Sequence, residues 1–352
     1  MPTVHAEPLQ KFSIEVFLAA GVPEDEARTV SDCLVEANLT GHDSHGVLRI
    51  PSYVGGIRRG GLVPGARIGV YHETPTTAKL DGKRGFGQVV MCRGMQTAIA
   101  KSAAGPIGLA TVANCGHTGQ LGYYALMAAR QGRIGVVLLG GRRGKVAPHG
   151  GIDGRMYVNA LSIAAPGEAP VALDMSISAT GFGKLLVQRA KNEPCPEGWL
   201  IDGQGRPATD PFQDVSGGKG AILPLGGALS GHKGSGLAFM VSLLCGLAER
   251  GDDPRSGDVG HLLMAIDVAS FLPLPAFQAQ VEDFIRHVKA SRPAHGLSEV
   301  LIPGERASRT RRQRLEKGIP LEETTCQELN ALADELGVTR LGGPQTTGPQ
   351  DH

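Results

Sequence analysis

Apolar residues at Leu9, Phe12, Val16 and Phe17, then at Ala27, Val30, Cys33, Leu34 and Ala37, recur at helical spacing. This predicts two amphipathic helices over 7–20 and 24–39. The intervening "GVPEDEA" supplies a glycine stop, then a proline and acids at a helix start. "GHDSHGVLRIPSYVGGIRRGG" reads as a third helix, begun near Asp43 or Ser44 and bent or restarted at Pro51. "RIGVYHETPTTAKLDGKRGFG" has strand-like runs around turn residues and predicts a hairpin. "GQVVMCRGMQTAIAKSAA" comes after it as a helix. An α/β alternation is next: strand 107–114, helix 119–132, strand 134–140, then strands in "MYVNALSIAAP" and "VALDMS". Residues 178–192 read as helix, and "PEGWLIDGQGRPATDP" as a loop with a D-G-Q-G turn. A long helix over 231–251 is apolar nearly all round and is expected to be buried. A strand and its exit over 260–271 precede helices at 276–290, 306–317 and 321–336, and a tail "GGPQTTGPQDH" expected to be disordered. The fold class expected is mixed α/β.

Composition narrows the function classes. With 35 basic and 34 acidic residues the net charge is +1, which gives no reason to propose a nucleic-acid or membrane partner. The longest apolar segment, residues 237–248, is too short to span a bilayer, and no signal-peptide run opens the chain. Six scattered cysteines form no C-x-x-C pair and fit a reducing compartment, so the cytoplasm is the expected location. Glycine, 51 of 352 residues, must serve turns and close backbone approach.

The familiar cofactor loops are missing. "LGGRRGKV" fails as a Walker loop at both ends, and "GQGRPA" at 203–208 lies in a proline-rich turn rather than between a strand and a helix. No zinc spacing exists, so no metal is expected. Four polar clusters remain. Ser44, His45 and Arg49 combine a hydroxyl, a proton carrier near neutral pH and a planar fork for a carboxylate; on a helix His45 and Arg49 would share one face. Asp43 or Ser44 could instead simply cap the helix. His117 precedes a helix whose first N–H groups (Thr118, Gly119, Gln120) could hold an anion, or form an ordinary turn. His232 and Lys233 stand at a glycine-rich helix entry, where the lysine offers a point charge for phosphate or carboxylate. Asp174 ends an apolar strand, a position that often faces a cleft; with Ser176 or Ser178 it could equally cap the next helix. For His149 in "PHGG" a turn role is expected.

Taken in order, "DSHGVLRIPSY", "LDMSIS…GK", "EPCPEGWLID", "LPLGG…GHKGSGLAFMV" and "IPGE" resemble the malate/L-lactate dehydrogenase family that lacks the Rossmann fold, over residues 7–337. Ureidoglycolate and sulfolactate dehydrogenases, diketogulonate reductases, and pyrroline- and piperideine-2-carboxylate reductases are relatives. The resemblance implies a largely antiparallel sheet in a cofactor domain, residues 76–274. It implies a helical domain, 1–75 with 275–340, that carries substrate and dimer contacts, and a tail at 341–352. It implies a homodimer, a small carboxylate substrate and NADH or NADPH as cofactor. His45 would give the proton, with Ser44 and Asp174 as relay partners and an ionised Asp174 favouring imidazolium. Arg49 would clamp the substrate carboxylate, with His117 and Thr118 beside it. Cofactor contacts would come from His117, Thr118, Gly119, Gln120, Leu121, Asp174, Met175, Ser176, His232, Lys233, Gly304 and Glu305. The implied reaction moves hydride between nicotinamide and C2 of a 2-oxo or 2-hydroxy acid. Reduction of a cyclic imino acid is the alternative within the family, and a catalytically silent acid-binding protein the alternative outside it. Three basic residues in "GGRRGK" lean the cofactor toward NADPH through its 2′-phosphate. Thr118, the run Val158-Asn159-Ala160 and Ser235 depart from the common family pattern.

Overall fold

The computed structural model describes residues 2–212, 215, 219–249 and 259–342. The tail from residue 343 onward, expected to be disordered, lies outside the described residues.

Two helices, α1 (Ala6–Ala19) and α2 (Glu24–Leu39), open the chain as their periodicity predicts. Pro23 precedes α2, and Glu24, Asp25 and Glu26 fill its first turn, where carboxylates complement the helix dipole. The expected single helix after residue 41 does not form. Asp43–His45 and Val47–Arg49 are separate 3₁₀ turns, and α3 (Ile50–Arg58) begins only afterwards, with Pro51 in its first turn. The break falls at Gly46, whose backbone is extended (φ −89°, ψ −156°). Gly46 lies against the buried Asn38, and a Cβ there would come within 2.1 Å of Asn38 Oδ1. Glycine is therefore obligatory at this corner.

Among the described residues, a seven-stranded sheet forms the centre. Its strands are β1 (Gly69–Glu73), β2 (Thr77–Asp81), β3 (Ile107–Ala113), β4 (Arg133–Gly141), β5 (Ala160–Ala165), β6 (Val171–Ser176) and β7 (Val259–Asp267). The spatial order is β1-β2-β3-β7-β4-β5-β6, and every pairing is antiparallel except β2 with β3. The late strand β7 is inserted between β3 and β4, a crossover the local pattern could not reveal. The sequence reading of the fold class holds, with the hairpin at β1 and β2. Helices α4 (Gly87–Lys101) and α5 (Gly122–Ala129) pack on one side of the sheet through Met91, Met95, Tyr124 and Ala128, all fully buried.

The helix α6 (Phe182–Lys191) ends in a left-handed Asn192. The stretch read as a loop holds two short strands, Leu200–Asp202 and Pro207–Ala208, on either side of the expected turn, and a third at Gly220–Ile222 completes a small sheet. Helix α7 (Gly227–Gly246) starts earlier than its apolar pattern indicates. Its expected complete burial is overturned. Ala238, Val241 and Cys245 face β4 and β7, and Gly231 and Gly234 pack on Pro224 and Leu225, whereas Phe239, Met240, Leu243 and Leu247 are more than half exposed in the single chain. The last helices are α8 (Leu274–Lys289), α9 (Glu305–Lys317) and α10 (Glu323–Leu336). Ile319, Leu321, Leu329 and Leu332 join Leu9, Phe17, Leu34 and Ile50 in a second core, so both chain ends build the body that carries the Asp43–Arg49 turns.

Candidate active site

The two 3₁₀ turns place His45 and Arg49 near one another by a route other than a shared helix face. Arg49 folds back and donates from Nε to the Ser44 carbonyl at 2.7 Å. This engages one guanidinium nitrogen and leaves the two terminal ones for a ligand. The His45 and His117 rings approach to 5.3 Å between centroids. His117 Nδ1 meets the Tyr53 hydroxyl at 2.8 Å, and Gln88 Nε2 donates to the same hydroxyl at 2.8 Å. With Gln88 donating, the Tyr53 hydroxyl is free to donate to Nδ1, an arrangement in which His117 carries its own proton on Nε2. Tyr53 and Gln88 thus adjoin His117 in the candidate site, and the sequence reading missed them. Tyr53 lies one helical turn past Arg49, a usable signal; nothing local marks Gln88, which arrives from the start of α4. Tyr53, Gln88 and His117 line a cavity of about 240 Å³ with Phe86 and Leu62.

The electrostatics reverse one expectation. Burial first, then Arg49 and His42, lower His45 to about 4, so the ring is neutral at physiological pH. Its Nδ1 is buried without a well-formed hydrogen bond, with the Ser44 carbonyl beside it. The expected imidazolium held by Asp174 is therefore corrected. Asp174 is not a partner of that nitrogen; its Oδ2 accepts the Gly122 N–H at 2.7 Å. Burial raises Asp174 to about 6 against that bond. The same contact displaces the expected anion site. Helix α5 begins at Gly122, not at 119, and its first N–H already holds the protein's own carboxylate. Ser44 lies against α6, where a Cβ on Gly183 would sit 3.4 Å from it.

Gln120 joins this region from the other wall, accepting from Thr40 Oγ1 at 3.0 Å, while His42 Nδ1 lies 3.2 Å from the same hydroxyl. His42 is lowered by burial, then by Arg306, with Lys184 adding to the effect. Arg49, Arg306 and Lys184 thus make the surroundings of the two histidines electropositive, which suits an anionic ligand. Thr118 and Leu121 are buried, and Gly119 takes a left-handed φ of 67°, with the Gln88 amide 3.7 Å from where a Cβ would lie. Met175 and Ser176 end β6 opposite Leu161 and Ala160.

His232 and Lys233 are exposed residues of α7 itself, not of a loop before it, and His232 stacks edgewise on His149 at 5.6 Å. Ser235 accepts the His149 N–H at 3.0 Å, so this departure from the family pattern has a structural use. The buried Asn159 likewise ties Gly141 N to Ala238 O. Gly304 (φ 84°) seats α9 against β6; a Cβ there would meet Ala172 O at 2.8 Å. Glu305 is committed to Lys289 at 2.7 Å, to Arg309 and to the Ile302 N–H, and its pKa falls to about 2, chiefly through Lys289. Its carboxylate is therefore a poor direct cofactor contact. Of the basic residues after β4, Arg142 pairs with Glu249 at 2.9 Å and Lys145 lies over the Phe182 ring at 3.6 Å. Among the described residues no cluster of metal ligands exists, the cysteines are free thiols, and no helix is long and apolar enough to cross a membrane.

Comparison with known proteins gives the family. A family profile described as malate/L-lactate dehydrogenase matches residues 4–330. The chain is 40% identical over 345 residues to a malate dehydrogenase of Pyrococcus abyssi, covering 95% of this chain and 94% of that protein. It is 36% identical over 336 residues to a malate/(S)-sulfolactate dehydrogenase of Methanothermus fervidus, covering 92% and 95%. The crystal structure of malate dehydrogenase from Entamoeba histolytica superposes with a TM-score of 0.91 at 29% identity, covering 96% of this chain and 99% of that one. Sulfolactate dehydrogenase from Methanocaldococcus jannaschii does so at 0.86 and 32%, covering 96% and 98%. On the profile, the relatives and the shared sheet, the chain belongs to the malate/L-lactate dehydrogenase family.

Proposed function

We propose that the chain is an NAD(P)-dependent dehydrogenase of 2-hydroxy acids and that the cleft between His45, Arg49 and His117 is its active site. The observation that carries this reading is the neutral His45 beside a guanidinium tethered by its Nε alone. The neighbouring acid and alcohol groups of a 2-hydroxy acid match that pair. Arg49 binds the carboxylate through its terminal nitrogens. His45 then takes the proton of the 2-hydroxyl during oxidation and returns it to the oxygen during reduction. A carboxylate on Arg49 cancels the repulsion that helps depress His45, so substrate binding itself raises the proton affinity of the ring. His117, held by Tyr53, offers an Nε2–H to the substrate.

The residues fit a nicotinamide cofactor. The loop 117–121 turns at the left-handed Gly119, which presents no side chain, and the positive charge of Arg49, Arg306 and Lys184 around His45 and His42 suits the cofactor's phosphates. Thr118, Gln120, Met175 and Ser176 would line its place, with Asp174 holding the loop rather than contacting a proton relay. The bound nicotinamide supplies the exchange of hydride with C2. The lean to NADPH through Arg142, Arg143 and Lys145 loses support, because Arg142 and Lys145 are already engaged; parallel titration with NADH and NADPH decides the cofactor.

The exposed face of α7, with Phe239, Met240, Leu243 and Leu247, supports a homodimer in which a second copy covers it. The division into a substrate and dimer part (1–75 with 275–340) and a cofactor part (76–274) belongs to the same proposal. Malate is the first substrate to try, given the names of the relatives.

His45→Gln tests the reading. Binding of reduced cofactor, followed by its fluorescence, is expected to persist while malate oxidation falls by about three orders of magnitude, the middle of the range for a general base. Turnover within tenfold of the unaltered enzyme would overturn the assignment.

A further inference from the structure

The outer side of the Asp43–Arg49 segment carries a polar network that the reaction does not use. Arg314, on α9, donates from Nη1 to Asp43 Oδ1 at 2.6 Å and from Nη2 to Oδ2 at 3.1 Å. The same Nη1 reaches the Asn38 carbonyl at the end of α2. Asn38 Nδ2 donates to Asp43 Oδ1 at 2.7 Å, and Asn38 Oδ1 accepts the Val47 N–H at 2.9 Å. The two residues fixed here, Asp43 and Val47, flank Ser44, His45 and Gly46. The Arg314 side chain is 15% exposed and Asn38 2%, whereas the Asp43 side chain is 45% exposed, so the network is buried at Asn38 and Arg314 and reaches solvent at Asp43. The bidentate fork also fixes an orientation, not just a distance.

Arg314 lies ten residues after Gly304, roughly 15 Å along α9 at 1.5 Å per residue. At Gly304 that helix is seated against Ala172 of β6, two residues before Asp174. One helix therefore links the strand that lines the cofactor's place to the turn that carries the proton exchanger.

We propose that Arg314, acting through Asp43 and Asn38, is a positioning residue for the reaction, with α9 as the strut that sets His45 and Arg49 relative to β6. The inference rests on the active-site reading above. A neighbouring ion pair supplies the control. Arg311 Nε meets Glu36 at 2.9 and 3.1 Å, joining the same two helices without touching the turns.

The experiment compares Arg314→Gln, Arg314→Lys, Arg311→Gln and His45→Gln as full-length enzymes, measuring kcat for malate oxidation, the Kd of reduced cofactor and Tm. For Arg314→Gln, kcat is expected to fall by roughly 10- to 100-fold, the scale of a small misplacement of reacting groups, with cofactor Kd changed less than about threefold. Lysine, a point donor, recovers part of that loss because it cannot span both Asp43 oxygens. Arg311→Gln lowers Tm comparably and leaves kcat unchanged. Full kcat in Arg314→Gln, or an equal loss in Arg311→Gln, overturns the positioning role. The His45→Gln arm tells the two failures apart. If His45→Gln is dead while Arg314→Gln is fully active, only the positioning role falls. If His45→Gln keeps its turnover, the active-site reading falls and takes the positioning role with it.

Discussion

The two sides of the Asp43–Arg49 segment are built to opposite rules. On the outer side Asp43, Asn38 and Arg314 satisfy one another, and charge is met by opposite charge. On the inner side His45 keeps a buried Nδ1 without a well-formed bond, and a guanidinium that opposes its protonation stands beside it. The outer arrangement fixes the backbone. The inner one leaves the ring starved of a partner, so that a ligand carboxylate changes its proton affinity most. A site that must alternate between two protonation states gains from being unsatisfied without ligand, and it needs a rigid neighbour to stay so.

The largest effect that sharpens this contrast lies at Arg49. Arg49→Met removes two charged hydrogen bonds to the substrate, at roughly 1.5 kcal/mol or more each, so kcat/KM for malate is expected to fall on the order of a hundredfold. It also removes the repulsion that depresses His45. The same variant should then show its free-enzyme histidine titration moved upward from about 4, read from the pH dependence of ring resonances. A kcat/KM within a few-fold of the unaltered enzyme would mean that another group holds the carboxylate.

A smaller effect concerns acid stability. His45 and His261 both titrate at about 4 in the folded chain, below the ordinary 6.5, with burial the leading cause in each. The unfolded chain then binds more protons between about 4 and 6.5, so folding stability is fully present above 6.5 and is lost as pH falls through that window. Each such proton is worth about 1.4 kcal/mol per pH unit. Asp174 acts in the opposite direction: raised from 3.8 to about 6, it costs stability as pH rises through that interval. His261, 4% exposed on β7, makes no well-formed hydrogen bond from either ring nitrogen, although the Val112 backbone lies within reach. Urea unfolding across pH 4 to 7 should therefore show a shallower slope in His261→Gln than in the unaltered chain. An unchanged slope would place the acid-sensitive protons elsewhere.

Much of this was legible in the sequence. The apolar spacing located the opening helices and the hairpin, because those elements bury one face each and their period survives in the residues. The residues His45, Arg49 and His117 could be picked out by chemical type. What could not be read was set by contacts distant in the chain. Gly46 breaks the expected helix because Asn38 fills the space where its Cβ would lie. Asp174 faces Gly122, not His45, because β6 runs at the sheet edge beside α5. The apolar run of α7 reads as core, since its composition does not reveal that only one of its faces packs on the sheet. Tyr53 and Gln88 matter only once α3 and α4 are side by side.

The coupling of Arg49, ligand and His45 is tested most directly by ¹⁵N NMR of histidine-labelled enzyme, titrated with and without a saturating unreactive 2-oxo acid analogue and reduced cofactor. The account predicts a His45 ring that is neutral at pH 6 in the free enzyme and whose pKa, near 4 at rest, rises by a unit or more when a carboxylate occupies Arg49. A ring already protonated at pH 6 without ligand, or one whose titration does not move when ligand binds, would contradict it.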